Sequence, residues 1–379
     1  MHIKTATIIG GGIAGPIAAV ALRRAGISAT IYEAYPGTAD GVGAVLSLAP
    51  NGIDALRAIG FDATALGEPV DTMIIAGDEA RPLATLPTLD GLPASRVVWR
   101  SDLYRALHDH AIANGVRFVY RKRLIDVEET PDVIVAHFDD GDWAVADILI
   151  GADGIRSTVR TRIDPQAPGP RYVGHIGFGG LAVGSDFRGT PRTMYFAHCK
   201  RAFMGYWTQA DGNTIWFANV PNAESMTSAQ ARAVPSEKWM LRLRELFADD
   251  QPGRDLLAHT DASTLVAVGG GEIMPSIRTW YTGRAVLVGD AAHAPSSSSG
   301  QGASMAAESA VELARCMRDL PNYSDAFAAY EARRRPRVEK VAAYGARNNH
   351  DKVAGPVAKA IMKMLLPIAM KTFLTPEKM

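Results

Sequence analysis

The stretch Thr5 to Glu33, TATIIGGGIAGPIAAVALRRAGISATIYE, leaves the chain few choices of fold, because it reads without a break as strand, glycine turn, helix and second strand. A short apolar strand, Ala6 to Ile9, runs into Gly10-Gly-Gly12-Ile13-Ala14-Gly15, and an alanine-rich helix follows. Gly10 permits the tight turn, Gly12 lets the backbone approach a pyrophosphate at the positive end of the helix, and Gly15 lets helix and strand pack closely. Glu33 closes the second strand, Ala29 to Tyr32, where a carboxylate can accept from an adenosine ribose hydroxyl. This is a dinucleotide fingerprint, and it does not by itself separate FAD from NAD.

With 379 residues, 47% of them hydrophobic, the chain is expected to divide into two lobes, since single cores stop growing near ~250–300 residues. Lys plus Arg and Asp plus Glu balance at 40 each, so net charge favours neither nucleic acid nor an anionic surface as partner. Cys199 and Cys316 form no C-x-x-C or metal-ligand spacing, which argues against dithiol redox chemistry and a bound metal. The three glycines at the N-terminus argue against a secretion signal, and a cytoplasmic protein is expected. No stretch reads as a membrane span. The most apolar, Pro356 to Leu374, carries Lys359, Lys363, Pro367 and Lys371, so no stable membrane insertion is expected, and this tail is read as a cover for the core or the substrate mouth.

After Glu33 a loop of small residues, Tyr35 to Gly43, leads to a helix introduced by Pro50 and Asn51 and ending near Gly60. Short strand-like pieces from Met73 to Pro93 are assigned to the second lobe. Ser101 reads as the N-cap of the next helix, with Arg100 just outside it. Val133 to Phe138 pairs with Trp143 to Ile150 across Asp139-Asp-Gly-Asp142, and that second strand delivers Gly151-Ala-Asp153-Gly. An apolar strand ending in Gly and Asp before a helix is a ligand-type edge, with a simple helix cap the lesser alternative for Asp153. Between Arg171 and Met274 the pattern turns to strands, Thr193 to His198, Phe203 to Thr208 and Thr214 to Val220, with one amphipathic helix, Ser236 to Phe247. This is the expected substrate lobe, and Tyr206, Trp207, Trp216 and Phe217 are its pocket candidates, with ordinary core the alternative for each.

A third ligand-type edge follows. Arg284-Ala-Val-Leu-Val-Gly289-Asp290 is a strand ending in Gly-Asp, and after His293, four serines and Gly300-Gln-Gly302 a long helix runs to about Arg318. Asp290 can accept from a polyol or ribose hydroxyl, while backbone donors at Gly302 and Ala303, at the positive end of that helix, would stabilise negative charge on a bound ring or phosphate. His293 has no carboxylate partner in the motif and is not taken as a base. Arg333 to Arg337 are read as a solvated or interlobe face.

Taken in order, Gly10 to Gly15 with Glu33, Asp153-Gly-x-x-Ser157-x-x-Arg160, and Gly289-Asp290-x-x-His293 with Gly300-Gln-Gly302 resemble the class A flavoprotein monooxygenases, among them salicylate hydroxylase and the tetracycline-inactivating enzymes. The resemblance spans Ile3 to roughly Ala346. It implies an α/β fold, a Rossmann-type FAD-binding domain with a β-sheet substrate domain (the para-hydroxybenzoate hydroxylase fold) and C-terminal helices. FAD-binding parts are expected at 1–72, 97–170 and 276–346, substrate-domain strands at 73–96, the substrate-binding sheet at 171–275, and a helical tail at 347–379. It also implies non-covalent FAD, NADPH or NADH as transient donor, O2 as co-substrate, and hydroxylation or epoxidation of an aromatic or polycyclic small molecule through a flavin hydroperoxide, by a monomer or homodimer.

Carried over by position, the backbone at Gly10, Gly12, Ile13, Ala14 and Gly15 would hold the pyrophosphate and Glu33 the ribose. Arg100 would meet the FAD phosphates, backbone near Leu124 the adenine, and Asp153 both FAD and the nicotinamide donor. Asp290 would hold the ribityl and pyrophosphate part, with Gly300, Gly302 and Ala303 beside the flavin ring. Relatives often carry prolines where Ser296 to Ser299 stand and Asn where Ser304 stands, so the loop beside the flavin is expected to be more polar here. A flavoprotein that binds or protects a reactive intermediate, or a non-oxygenating FAD oxidoreductase, is the alternative. The Gly-Trp-x-Trp-x-Ile-Pro stretch of flavin-dependent halogenases does not occur.

Overall fold

The computed structural model describes residues 3–37, 45–77, 81–87, 91–185 and 189–350, and among these described residues the chain forms four β-sheets flanked by helices. The loop expected from Tyr35 to Gly43 falls largely outside them, as does the tail helix from Pro356 to Leu374.

The cofactor lobe is built on a sheet of six strands: β1 (Thr5–Ile9), β2 (Ser28–Glu33), β8 (Arg117–Tyr120), β12 (Ile148–Gly151), β18 (Tyr281–Thr282) and β19 (Ala285–Leu287). Their spatial order is β18-β19-β12-β1-β2-β8, with all but the edge strand β18 parallel. The chain leaves β1 toward β2 on one side and returns to β12 on the other. A crevice therefore opens at the carboxyl ends of β1 and β12, where doubly wound sheets bind ligands. Burial on both faces explains the apolar runs: Ile8, Ile31, Ile148, Leu149, Ile150 and Val286 are all solvent-free.

Helices α1 (Ala14–Arg24), α2 (Pro50–Ala58) and α3 (Arg100–Ala113) precede a three-stranded antiparallel sheet of β9 (Leu124–Glu129), β10 (Ile134–Phe138) and β11 (Trp143–Ala146). The strand expected to run from Trp143 to Ile150 is divided at Asp147. Its carboxylate accepts from the backbone N–H groups of Lys4 (2.7 Å) and Thr5 (2.8 Å), which pins the point where the chain passes from the hairpin into the main sheet beside β1. Helix α4 (Thr158–Ile163) follows.

The second lobe is a seven-stranded sheet in the order β17-β13-β16-β15-β14-β5-β6, made of β5 (Thr72–Ala76), β6 (Pro82–Pro87), β13 (Arg171–Ala182), β14 (Thr193–His198), β15 (Phe203–Thr208), β16 (Thr214–Pro221) and β17 (Val266–Ile273). One face is covered by α5 (Ser228–Ala233), α6 (Ser236–Leu246) and α7 (Gly253–Ala258), with Phe178, Tyr206, Trp216, Trp239 and Phe247 in the core between. A small sheet of β3 (Val45–Leu48), β4 (Glu68–Val70) and β7 (Ser95–Trp99) touches the opposite face through Val45, Val70 and Val97.

The chain closes with α8 (Gly302–Asp319), packed between α1 and α2, and α9 (Tyr323–His350) lying along α8. The arginines of α9 are only in part the solvated or interlobe face expected from sequence, for Arg333 is exposed but Arg334 and Arg337 turn inward. Arg334 and Glu308 of α8 are each 1% exposed and 2.7 Å apart, and Arg337 reaches both oxygens of Glu308 at 3.1 Å. Glu308 and Glu312 lie four residues apart on one side of α8, so the guanidinium row that faces them is consumed in holding the two helices together. Among the described residues, no helix is long and apolar enough to cross a membrane.

Candidate cofactor site

The three glycine- and aspartate-bearing corners come together because β1, β12 and β19 are neighbours in one parallel sheet and all end on the same edge. Gly10, with φ +104°, turns tightly against the second corner: a Cβ there would lie 2.4 Å from the Ala152 carbonyl oxygen. Gly15 sits equally close to Gly10, with 2.0 Å from an added Cβ to the Gly10 oxygen. Gly12 differs, since its nearest neighbour is the Tyr104 hydroxyl at 3.8 Å, so its backbone faces open space. Glu33 fastens the end of β2 to this turn by accepting from Gly11 N–H (2.7 Å) and Tyr35 N–H (2.9 Å).

Two helix starts at this edge lack internal caps. In α1 the capping position is Ile13, and in α8 it is Gln301; neither helix has a capping side chain or an acid in its first turn. Their first N–H groups are therefore donors for a ligand with negative charge. Gly300 (φ +62°) and Gly302 have nothing within 4 Å of an added Cβ, and Ala303 beside them is half-buried.

Helix α4 is the contrast. Asp153 accepts from the N–H groups of Thr158 (2.7 Å) and Val159 (3.1 Å) and from the Ser157 hydroxyl, while Ser157 Oγ accepts from Arg160 N–H at 2.9 Å. Burial raises the pKa of the Asp153 carboxyl, and these hydrogen bonds oppose the rise. The capping role left open in the sequence is thus present.

Arg100 is the first residue of α3 rather than a residue outside it, and the cap position is Trp99, not Ser101. The reason is local: β7 runs straight into α3 with no turn between. Arg100 Nε donates to the Tyr104 hydroxyl (2.8 Å), with its guanidinium 5.2 Å from the ring centre. Burial disfavours its charge, but Tyr104 and Asp290 outweigh that and raise its pKa. Asp290 lies in the turn Gly289–Ala291, half-buried, and makes no hydrogen bond among the described residues. Its pKa is raised by burial and opposed by Arg100. A carboxylate without a hydrogen bond, the Arg100 cation that opposes the rise in its pKa, and two uncapped helix starts thus surround one crevice. Leu124 is buried at the start of β9, its side chain in the core.

Several contacts between distant segments escaped the sequence reading. Ser304 Oγ accepts from Ala49 N–H at 3.0 Å, and Asn51 Nδ2 donates to Gln301 Oε1 at 3.1 Å, joining the start of α2 to the start of α8. His293 is buried against Trp280, with Nε2 2.9 Å from Ser309 Oγ. Burial, and then the charge of Arg334, push its pKa down to about 3, so it is a neutral packing group. Of the four aromatic candidates, Tyr206 and Trp216 are solvent-free beneath α6, while strand alternation turns Trp207 to the opposite face, where it is 3% exposed against Val70, Val97 and Ile215. Phe217 lies on that same opposite face and is half-buried.

A family model described as "FAD binding domain" matches residues 3–344. The chain is 30% identical to 3-amino-4-hydroxybenzoate 2-monooxygenase of Streptomyces cremeus over 88% of this chain and 84% of that protein. It is 32% identical to aurachin C monooxygenase/isomerase of Stigmatella aurantiaca, over 86% and 84%. Among solved structures, Klebsiella pneumoniae HpxO complexed with FAD and uric acid superposes with a TM-score of 0.82 at 24% identity, covering 98% of this chain and 93% of that one. A salicylate hydroxylase substrate complex superposes with a TM-score of 0.81 at 21% identity, covering 99% and 96%. The chain belongs to the FAD binding domain family and, within it, to the FAD-dependent aromatic-ring monooxygenases.

Proposed function

We propose that the protein uses NADPH or NADH and O2 to hydroxylate or epoxidise an aromatic or polycyclic small molecule on FAD. Bound FAD, once reduced, supplies the oxygen-activating chemistry. The chain supplies binding, position and a dry site. The start of α1, from Gly10 to Gly15, holds the pyrophosphate on its free N–H groups, and Glu33 accepts from the ribose through lone pairs not used by Gly11 and Tyr35. Arg100 answers phosphate charge. Asp290 takes ribityl hydroxyls, and the start of α8, at Gly300, Gly302 and Ala303, favours negative charge on the ring beside it. Backbone near Leu124 borders the adenine. Asp153 serves FAD and the nicotinamide donor by keeping its corner rigid through the α4 cap.

The observation that carries this reading is the carboxylate of Asp290, set without a protein hydrogen bond at the edge where both uncapped helices begin. The test is reconstitution with FAD, followed by NADPH and NADH oxidation under 18O2 across a panel of phenols, quinones and polyketides. One labelled oxygen in an organic product is the expected result. Hydrogen peroxide as the sole oxygen product with every compound would leave a non-oxygenating oxidoreductase instead.

A further inference from the structure

The two faces of the seven-stranded sheet are unlike. Away from the helices, β14, β15 and β16 present three half-buried rings, Phe196, Phe203 and Phe217, with centroids 6.2, 6.4 and 6.0 Å apart. Gly205 and Gly179 lie on either side of Phe217 in register, and the Phe217 ring is laid across Gly205, where an added Cβ would come within 2.2 Å of it. Gly205 makes the room that the Phe217 ring occupies, and the three rings together form an aromatic floor, the trough of this face. Its rim meets the cofactor edge. Tyr344 of α9 packs in one cluster with Ile75 and Phe196, and the adjacent Gly345 lies against Ser296 and Ser299, in the loop between Asp290 and Gly300.

Asn219 closes one end of the trough. It pairs in register with Phe203 and Gly177, and its Oδ1 is 3.8 Å from the position of a Cβ on Gly177. The residue is 8% exposed, and its carboxamide makes no hydrogen bond among the described residues. Neither amide atom is among the fully buried side-chain atoms left without a hydrogen bond, so donor and acceptor both stay open to water and can be taken up by a ligand edge. On this face, β5, β14, β15, β16 and the Gly177 to Leu181 part of β13 place no Asp, Glu, Lys or Arg.

We propose that this trough is the substrate seat of the monooxygenase reading given above, on which it rests, and that it selects an uncharged flat ring carrying adjacent carbonyl and N–H groups. Such a lactam edge meets the Asn219 carboxamide in two hydrogen bonds while the ring lies among the phenylalanines. A ring bearing a carboxylate would lose its hydration with no Lys or Arg on these strands to replace it, and only the imidazole of His198, 5.4 Å from the Phe203 ring centre, stands near.

The test is a titration of FAD-loaded protein, without reductant, by 2-quinolone, a neutral lactam, and by quinoline-2-carboxylate, the same bicycle with an anion, read from the flavin absorbance change. The lactam is expected to bind about tenfold tighter than the carboxylate. Asn219→Leu is expected to weaken the lactam about tenfold with flavin content unchanged, and Asn219→Asp, of nearly the same size, to weaken it as much. No binding of the lactam, equal or tighter binding of the carboxylate, or lactam binding that both variants leave unaltered overturns the proposal. Because the readout needs no turnover, lactam binding as expected without labelled product under 18O2 would keep the seat and remove the monooxygenase reading.

Discussion

Arg160 Nη1 donates to the Ala291 carbonyl at 3.0 Å, so the helix that begins at the Asp153 corner holds the turn that carries Asp290. Its Nη2 donates to the Ile155 carbonyl at 2.7 Å, and the side chain is 3% exposed. Arg160→Met leaves both carbonyls without that donor and is expected to cost about 2–3 kcal/mol. FAD affinity should fall with it, because the turn loses its brace. Arg160→Lys should recover only part, since one ammonium on a shorter reach cannot span both oxygens. Thermal unfolding with and without FAD, together with FAD release on dilution, measures both effects.

Gly289 is where the first and third corners touch. It has φ +60°, and an added Cβ would stand 2.8 Å from Ala14 Cβ. Gly289→Ala therefore combines backbone strain with a clash at the start of α1, about 2–3 kcal/mol in all. The expected outcome is protein purified with little flavin. Adding Ala14→Gly to the same chain makes room and should restore part of the flavin content, read as the ratio of flavin to protein absorbance.

Glu308 neutralises two guanidiniums, those of Arg334 and Arg337, in the contact between α8 and α9. Glu308→Gln strands two buried cations and is expected to lose about 3–5 kcal/mol. Arg334→Leu leaves Glu308 still paired with Arg337, so its loss should be smaller. Urea midpoints at constant slope would rank the two, and a reversed order would show that Arg337 does not share the carboxylate.

His293 has a folded pKa pushed down to about 3 against an ordinary value of about 6.5. Below that ordinary value the unfolded chain takes up a proton that the native imidazole refuses, so acidification favours unfolding. Stability from this group alone is expected to fall by about 1.4 kcal/mol per pH unit as pH drops from about 6.5 toward 5. His293→Asn should flatten that part of the profile. Denaturation midpoints across the interval for both proteins check it, and parallel profiles would mean that the native site admits the proton.

The local sequence was enough for the glycine turn, the strand boundaries around Thr193 to Val220 and the helix after Gly302, because turn geometry, two-residue alternation and helical periodicity are properties of neighbours in the chain. It could not show that Arg334 is buried, because a run of arginines looks the same whether it meets water or, as here, Glu308 on another helix. Nor could it decide which face of the second sheet is sealed. Tyr206 and Trp216 turn toward α6, while Phe217 and Asn219 lie on the opposite side, which the small sheet covers in part through Val45, Val70 and Val97. The sequence alone thus determined that three corners suited to a flavin dinucleotide exist. Only the parallel order β19-β12-β1 put them side by side, and only the tertiary structure brought Arg100 to Asp290 while leaving that carboxylate and the Asn219 amide without a hydrogen bond among the described residues, since contacts between distant segments are encoded in no local pattern.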